Sequence, residues 1–265
     1  MKIGFIGAGN MGSALANAAV KADGAEVYLY DKDEKKAKIA AEKIGAKYAE
    51  NTVIATECDY IFLGVKPNIV GAAIGEIKDI LKKRRDYALV SMAAGVSIAK
   101  IEGFFDGYGA NVIRIMPNTP VSVGSGMILW CKNETVSDEC ANGFLDAMRY
   151  AGTFDKIDEG KIDAASAVSG CGPAFVYMFI EALADGGVKC GLTREQAQRY
   201  ASETVMGAAK LAIESGRHPG ELKDAVCSPG GTTIEGVKAL EDGSFRASAM
   251  NAVIKAYEKT LKLAE

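Results

Sequence analysis

The run from residue 2 to residue 31 constrains this chain more than any other. A short apolar segment, Ile3-Gly4-Phe5-Ile6, leads into Gly7-Ala8-Gly9-Asn10-Met11-Gly12. A helical pattern follows over residues 13–22, and a second apolar run, Val27-Tyr28-Leu29-Tyr30, ends at Asp31. The order is strand, glycine turn, helix, strand, acid, and each part has a physical task. Gly7 permits the tight turn out of the strand. Gly9 has no Cβ, so a pyrophosphate can come close to the backbone. Gly12 lets the helix lie close to the sheet. The helix start offers free N–H groups and a positive dipole end to phosphate. Asp31 stands at about the spacing expected of an acid that binds ribose. The plainer reading keeps the glycines for packing alone; the flanking strands and the acid weigh against it.

Composition sets outer limits. With 265 residues the chain suits one large domain or two ordinary ones, and 49% hydrophobic residues suffice for a full core. The net charge is -3, and the longest basic run is Lys82-Lys83-Arg84-Arg85. Nucleic acid and anionic membranes are therefore not expected partners. Cys58, Cys131, Cys140, Cys171, Cys190 and Cys227 form no CxxC pair, and they read as buried thiols of a reducing cytosol. No signal peptide is expected, because residues 2–6 already read as strand, and no apolar run looks long enough to cross a bilayer. A cytoplasmic location and no metal cluster are the corresponding expectations.

Strand and helix signals alternate through the first half. Strands are expected at residues 26–30, 60–65, 88–92, 111–116, 126–131 and 153–157. Helices are expected at 35–44, closed by Gly45, at 68–81, at 97–105 with Ser97 as N-cap, and at 137–150. Such alternation predicts a parallel, doubly wound sheet, in which ligands bind beyond the carboxyl ends of the strands. The glycine turn, Val65-Lys66-Pro67, Ala93-Ala94-Gly95 and the residues 116–120 all lie at strand ends and should line one crevice.

From about residue 161 only helical signals remain, at 164–168, 173–188, 193–215, 219–227, 232–241 and 245–263. Thr193-Arg194-Glu195-Gln196 is a capping box. The domains are accordingly placed at 1–160, dinucleotide-binding, and 161–265, helical. Residues 174–184 are apolar on nearly all sides, so that helix should be buried on nearly all sides, by a partner subunit or between the two domains.

Ser228-Pro229-Gly230-Gly231-Thr232-Thr233 feeds a helix start and resembles an anion cradle. It follows no strand and carries no lysine, so a carboxylate suits it better than a phosphate chain. A tight interhelical turn with Thr232 as N-cap explains the local chemistry equally well.

These segments together resemble the pyrroline-5-carboxylate reductases over essentially the whole chain. The resemblance rests on Phe5-Ile6-Gly7-Ala8-Gly9-Asn10-Met11-Gly12, Val65-Lys66-Pro67, Ser91-Met92-Ala93-Ala94-Gly95-Val96, Met116-Pro117-Asn118-Thr119-Pro120 and Ser169-Gly170-Cys171-Gly172-Pro173-Ala174. Most specific is Ser228-Pro229-Gly230-Gly231-Thr232-Thr233-Ile234. The resemblance implies a Rossmann-type nucleotide domain followed by an all-α dimerisation domain, with a site near the dimer interface and frequent assembly into decamers. It implies hydride transfer from NADPH or NADH to the cyclic imine of 1-pyrroline-5-carboxylate, giving L-proline in the last step of proline biosynthesis. The expected cofactor-binding residues are Gly7, Gly9, Asn10, Met11, Gly12 and Asp31, with Asn51, Val65, Lys66 and Pro67, and Ala93, Ala94, Gly95 and Asn118. Ser228, Gly230, Gly231, Thr232 and Thr233 are the expected substrate-binding residues, Thr233 being the catalytic one. Members that prefer NADPH usually carry a small polar or basic residue where Asp31 stands, so this acid leans the chain toward NADH.

The chemistry fits what the chain lacks. An alcohol dehydrogenase needs a group for the hydroxyl proton. The single histidine, His218, precedes Pro219 at a helix start and reads as a capping or surface residue. A cyclic imine can arrive protonated, already electrophilic, so placement matters more than acid–base catalysis. Two other readings remain. A beta-hydroxyacid dehydrogenase shares the two-domain plan, but Val176 stands where that family has its proton-donating lysine. A non-catalytic nucleotide sensor would have no need of a second anion cradle.

Overall fold

The computed structural model describes residues 1–264. They form two compact units, Met1–Cys171 with the residues from Ala256 onward, and Gly172–Lys255. The last position of the expected 161–265 domain lies outside the described residues.

The first unit runs β1 (Lys2–Ile6), α1 (Asn10–Ala19), β2 (Glu26–Tyr30), α2 (Glu34–Ile44), β3 (Lys47–Tyr48), α3 (Asn51–Glu57) and β4 (Tyr60–Leu63). It continues with α4 (Val70–Leu81), β5 (Ala88–Ser91), α5 (Ile98–Gly103), β6 (Val112–Met116), β7 (Gly126–Lys132), α6 (Asp138–Ala147), β8 (Gly152–Lys156) and α7 (Glu159–Ser169). The strands form one sheet in the order β3-β2-β1-β4-β5-β6-β7-β8. The sequence expectation of a parallel sheet holds up to β6; β7 then pairs with it antiparallel, Ile115 opposite Trp130. A 3-10 turn at Thr119–Val123, closed by Gly124 in the left-handed region, sends the chain straight back instead of through a crossover helix.

Period-two alternation divides the strand side chains between two cores. Ile3 and Phe5 of β1, with Tyr60 and Phe62 of β4, meet α1, α2 and α6 through Leu15, Ala41 and Phe144. Ile6, Ile61 and Leu63 point the other way, to Ile54 of α3, Ile74 of α4, Ile101 of α5 and Ile162 of α7. Both faces are thus covered, as a largely parallel sheet requires. Phe5 stacks on Phe62 with centroids 4.4 Å apart, and Phe144 meets Phe154 edge-on at 5.6 Å. The elements β3 and α3 carry no expectation from the sequence, because two and seven residues are too short to show a period. Ser97 and Gly45 take their expected capping places.

The buried Arg114 of β6 fastens α7 to this unit, with Nη2 donating to Asp163 at 2.6 Å and Nη1 to Glu159 at 3.2 Å. Cys58 and Cys131 are buried, and burial pushes their thiols up to about 12 and about 11. Cys190 departs from the expectation of buried thiols: it is exposed, in the turn just after a helix end.

The second unit begins with α8 (Gly172–Lys189) and α9 (Arg194–Ser215), then α10 (Pro219–Val226), α11 (Thr232–Asp242) and α12 (Phe245–Ala264), whose last residues group with the first unit. Its core is small: Ala184 of α8 against Ala197 and Ala201 of α9, flanked by Ile180 and Val188. The expected capping box forms at Thr193 and Gln196. Helix α8 is not enclosed within its own unit, since Ala184 is its one buried residue and Tyr177 and Met178 are exposed. The expectation that no stretch could cross a bilayer is corrected as well. Glu159–Lys189 is long and apolar enough by length and composition, an 18-residue window within it having mean hydropathy 1.4. Two consecutive helices, α7 and α8, add up where either sequence run alone looked short.

Candidate functional site

The glycine turn leaves β1 as its sequence dictates. Gly7 has φ +113°, and a Cβ there would lie 2.6 Å from the Gly64 carbonyl. A Cβ on Gly12 would strike the Gly7 oxygen at 2.2 Å, so Gly12 lets α1 close down on the turn itself. At Gly9 a Cβ would meet nothing within 4 Å. The fold does not demand glycine there; a ligand that needs the space would. Gly9 is also the N-cap of α1 and no side chain caps that helix, so its first amides remain available to an anion. Asn10 and Met11 form the start of the helix.

Asp31 follows directly on β2. Its Oδ2 accepts from the Ala8 amide at 2.9 Å and from Lys36 Nζ at 3.3 Å, and its Oδ1 accepts from the Asp33 amide at 3.1 Å. Burial pushes its carboxyl pKa up, but the Asp33 and Ala8 amides and Lys36 outweigh that and hold it below the ordinary value. The acid is therefore a carboxylate that also fixes the glycine turn.

A cleft of about 300 Å³ opens between these pieces, lined by Gly7, Gly9, Asp31, Val65, Lys66 and Glu76, with Lys32, Lys36 and Ile69 also on its wall. Pro67 begins the 3-10 turn Pro67–Ile69 that carries Ile69 to that wall. Asn51, expected at the cofactor, is not among the cleft residues: it starts α3, is buried, and donates from Nδ2 to Glu76 Oε2 on the wall. The sequence reading missed Glu76. It lies on α4, and no motif marks it, because only the sheet order brings α4 beside the end of β2.

Ala93, Ala94 and Gly95 are not among the cleft residues. They follow β5, with Gly95 at φ +71° turning the chain toward α5. Asn118 is not in the cleft either. It is buried, its Oδ1 accepts from the Met127 amide at 2.9 Å, and its Nδ2 donates to the Ser169 carbonyl at 2.9 Å. It joins the end of β6 to β7 and to the last residue of α7. A larger open groove of about 720 Å³ lies between α1 and α2, at Ser13, Asn17, Lys35 and Lys43, and contains no part of the glycine turn.

In the second unit, α11 begins with Gly231 as N-cap, and no side chain caps it. Thr232 is the first helical residue and not the N-cap, so the tight turn lacks the Thr232 cap that its plain reading expected. Gly230 turns at φ +66°, and the Gly231 amide donates to the Ser228 carbonyl at 3.0 Å. A Cβ on Gly231 would meet Ser228 Oγ at 2.3 Å. The loop is thus folded tightly onto itself, with the amides of Thr232 and Thr233 in the open first turn and the Thr233 side chain exposed. His218 is the N-cap of α10, its Nδ1 accepting from the Gly220 amide at 3.0 Å, as the sequence led one to expect.

Comparison with known proteins agrees with both units. Residues 159–263 match the family model for pyrroline-5-carboxylate reductase dimerisation. Residues 2–95 match the model for NADP oxidoreductase, coenzyme F420-dependent. The chain is 41% identical to the pyrroline-5-carboxylate reductase of Escherichia coli, over 100% of this chain and 98% of that one. It is 39% identical to that of Methanosarcina acetivorans, over 99% and 97%. Among solved structures it resembles the Plasmodium falciparum pyrroline carboxylate reductase with NADP bound, at 36% identity and a TM-score of 0.89, covering 100% of this chain and 98% of that one. A Mycobacterium tuberculosis 3-hydroxyisobutyrate dehydrogenase, 14% identical with a TM-score of 0.53, shares the fold alone.

Proposed function

The chain belongs to the pyrroline-5-carboxylate reductase family, and from that premise we propose which of its residues carry the reaction. The protein is an NAD(P)H-dependent oxidoreductase that reduces 1-pyrroline-5-carboxylate to L-proline, the last step of proline biosynthesis. When bound, the reduced nicotinamide supplies the hydride for the imine carbon.

The cleft at the end of β1 and β2 holds the nucleotide. Gly9 leaves room for the pyrophosphate, the first amides of α1 bind it, and Asn10, Met11 and Gly12 shape that helix start. Asp31 accepts from the adenosine ribose hydroxyls, which favours NADH. Val65 and Lys66 form the wall beyond β4 and Pro67 starts the turn that follows, while Ala93, Ala94, Gly95 and Asn118 occupy the neighbouring strand ends. NADPH, whose oxidised form is bound in the Plasmodium relative, is used less well because its 2′-phosphate meets the Asp31 charge.

The Ser228–Thr233 loop holds the substrate. The observation that carries this is the uncapped start of α11, with Thr232 and Thr233 in its first turn. The open amides bind the substrate carboxylate, with Ser228, Gly230 and Gly231 shaping the loop. The protonated ring nitrogen donates to Thr233 Oγ, which holds the electrophilic carbon in place. The division of labour follows the expected domains, 1–160 for nucleotide and 161–265 for substrate and dimerisation, although α7 packs with the first unit.

The chain assembles with copies of itself. The apolar, exposed side of α8 is the proposed dimer surface, and decamers of such dimers are the proposed full assembly. Nucleic acid and membranes are not its partners, and the cytoplasm, where its unpaired thiols stay reduced, is its place. Initial rates with 1-pyrroline-5-carboxylate and each cofactor test the whole reading: saturable L-proline formation is expected with both. A protein that binds the nucleotide but turns over with neither would instead be a sensor.

A further inference from the structure

The wall of the nucleotide cleft contains a second acid with a defined partner. Glu76 reaches the cleft from α4, and its Oε2 accepts from Asn51 Nδ2. Its other oxygen, Oε1, lies 3.9 Å from Lys32 Nζ. An ionised carboxylate only accepts hydrogen bonds, so it fixes which way the Asn51 amide faces. The NH2 group is turned to Glu76, and the carbonyl Oδ1 is the group left over. Among the described residues nothing donates to that Oδ1.

The consequence concerns what the ribose end of the cleft can accept. Asp31 and Glu76 on the wall are acceptors, and so is the Oδ1 of Asn51, which is not itself a wall residue and is tied to the wall through Glu76. Of the three lysines on the wall, the two that flank Asp31 and Glu76 are each beside a carboxylate, Lys36 at 3.3 Å from Asp31 and Lys32 at 3.9 Å from Glu76, while Lys66 follows β4 rather than β2. A sugar hydroxyl donates and matches this set, whereas a phosphate is itself only an acceptor and does not. We propose that Glu76 is a specificity-determining residue: by holding Asn51 with its carbonyl free, it selects the 2′-hydroxyl of NADH against the 2′-phosphate of NADPH. The inference rests on the reading of this cleft as the nucleotide site. Glu76 is a positioning residue here, acting through Asn51 and Lys32.

With glutamine at position 76, the side-chain amide can donate to Asn51 Oδ1. Asn51 is then free to present its NH2 group to a phosphate, and Lys32 loses its competing charge. For Glu76→Gln the ratio of kcat/KM with NADPH to that with NADH should rise about tenfold, carried by the two cofactor KM values, with kcat nearly constant. A purely structural role would weaken both cofactors alike. In an Asn51→Ala background the shift produced by Glu76→Gln should shrink to about threefold or less, since the two residues act as a pair. An unchanged ratio for Glu76→Gln, or a full shift that persists without Asn51, overturns the proposal while leaving the cleft reading intact, provided Asn51→Ala alone raises a cofactor KM. If Asn51→Ala alters neither cofactor's KM, the placement of Asn51 in the nucleotide site fails, and the proposal fails with it.

Discussion

The carboxylate of Asp31, just beyond β2, accepts a hydrogen bond of 2.9 Å from the amide of Ala8 in the glycine turn. One residue thus holds the glycine turn and lines the same cleft, the one proposed for the nucleotide. Exchanging it should have two effects: a looser turn for both cofactors, and removal of a like charge for NADPH alone.

For Asp31→Ser, kcat/KM with NADH should fall, and the NADPH-to-NADH ratio should rise about tenfold, the scale of one hydrogen bond to a charged group. Initial rates with both cofactors check this. A wild type that prefers NADPH tenfold would place the Asp31 charge outside ribose recognition.

The same carboxylate makes a pH prediction. Its pKa in the fold lies below the ordinary value, so the unfolded chain takes up the proton first. Its stabilising contribution is complete above the unfolded pKa and is lost as pH falls through the folded one. The stability difference between wild type and Asp31→Asn should therefore be constant near neutrality and close in acid. Denaturant melts at a series of pH values measure it; a difference that widens on acidification would contradict the sign.

Thr233→Val removes one hydroxyl from the first turn of α11. A hydrogen bond with a charged ring nitrogen contributes roughly 1.5–3 kcal/mol, so kcat/KM for the imine should fall about tenfold or more. NADH affinity should stay as it was, measured by fluorescence titration. An unaltered rate would take Thr233 out of the reaction.

Met178 is exposed on α8, while Phe179 lies 5.6 Å from the Phe245 ring within its own unit. Met178→Asp is thus the cleaner probe of assembly, because Phe179→Asp would also disturb the helical unit itself. Burying an unpaired charge in a subunit contact should weaken association by about tenfold or more. Light scattering across a dilution series reads the mass; an undisturbed oligomer would move the interface off this face of α8.

What the sequence determined by itself was local. The Gly7–Gly12 turn, the acid at residue 31, the caps at Ser97, Thr193 and His218, and the change from alternating elements to helices are written in residues a few positions apart, where backbone sterics and hydrogen bonds decide. The tertiary structure decided everything that depends on which distant segments become neighbours. It turned β7 antiparallel to β6, left α8 largely uncovered within its unit, and used both ends of the Asn118 amide to tie β6 to β7 and α7. It also brought Glu76 of α4 to Asn51 of α3 and to the cleft beside Asp31. No periodicity carries that last juxtaposition, since it arises only when the strand order sets β4 beside β1 and the helices fold back over the sheet.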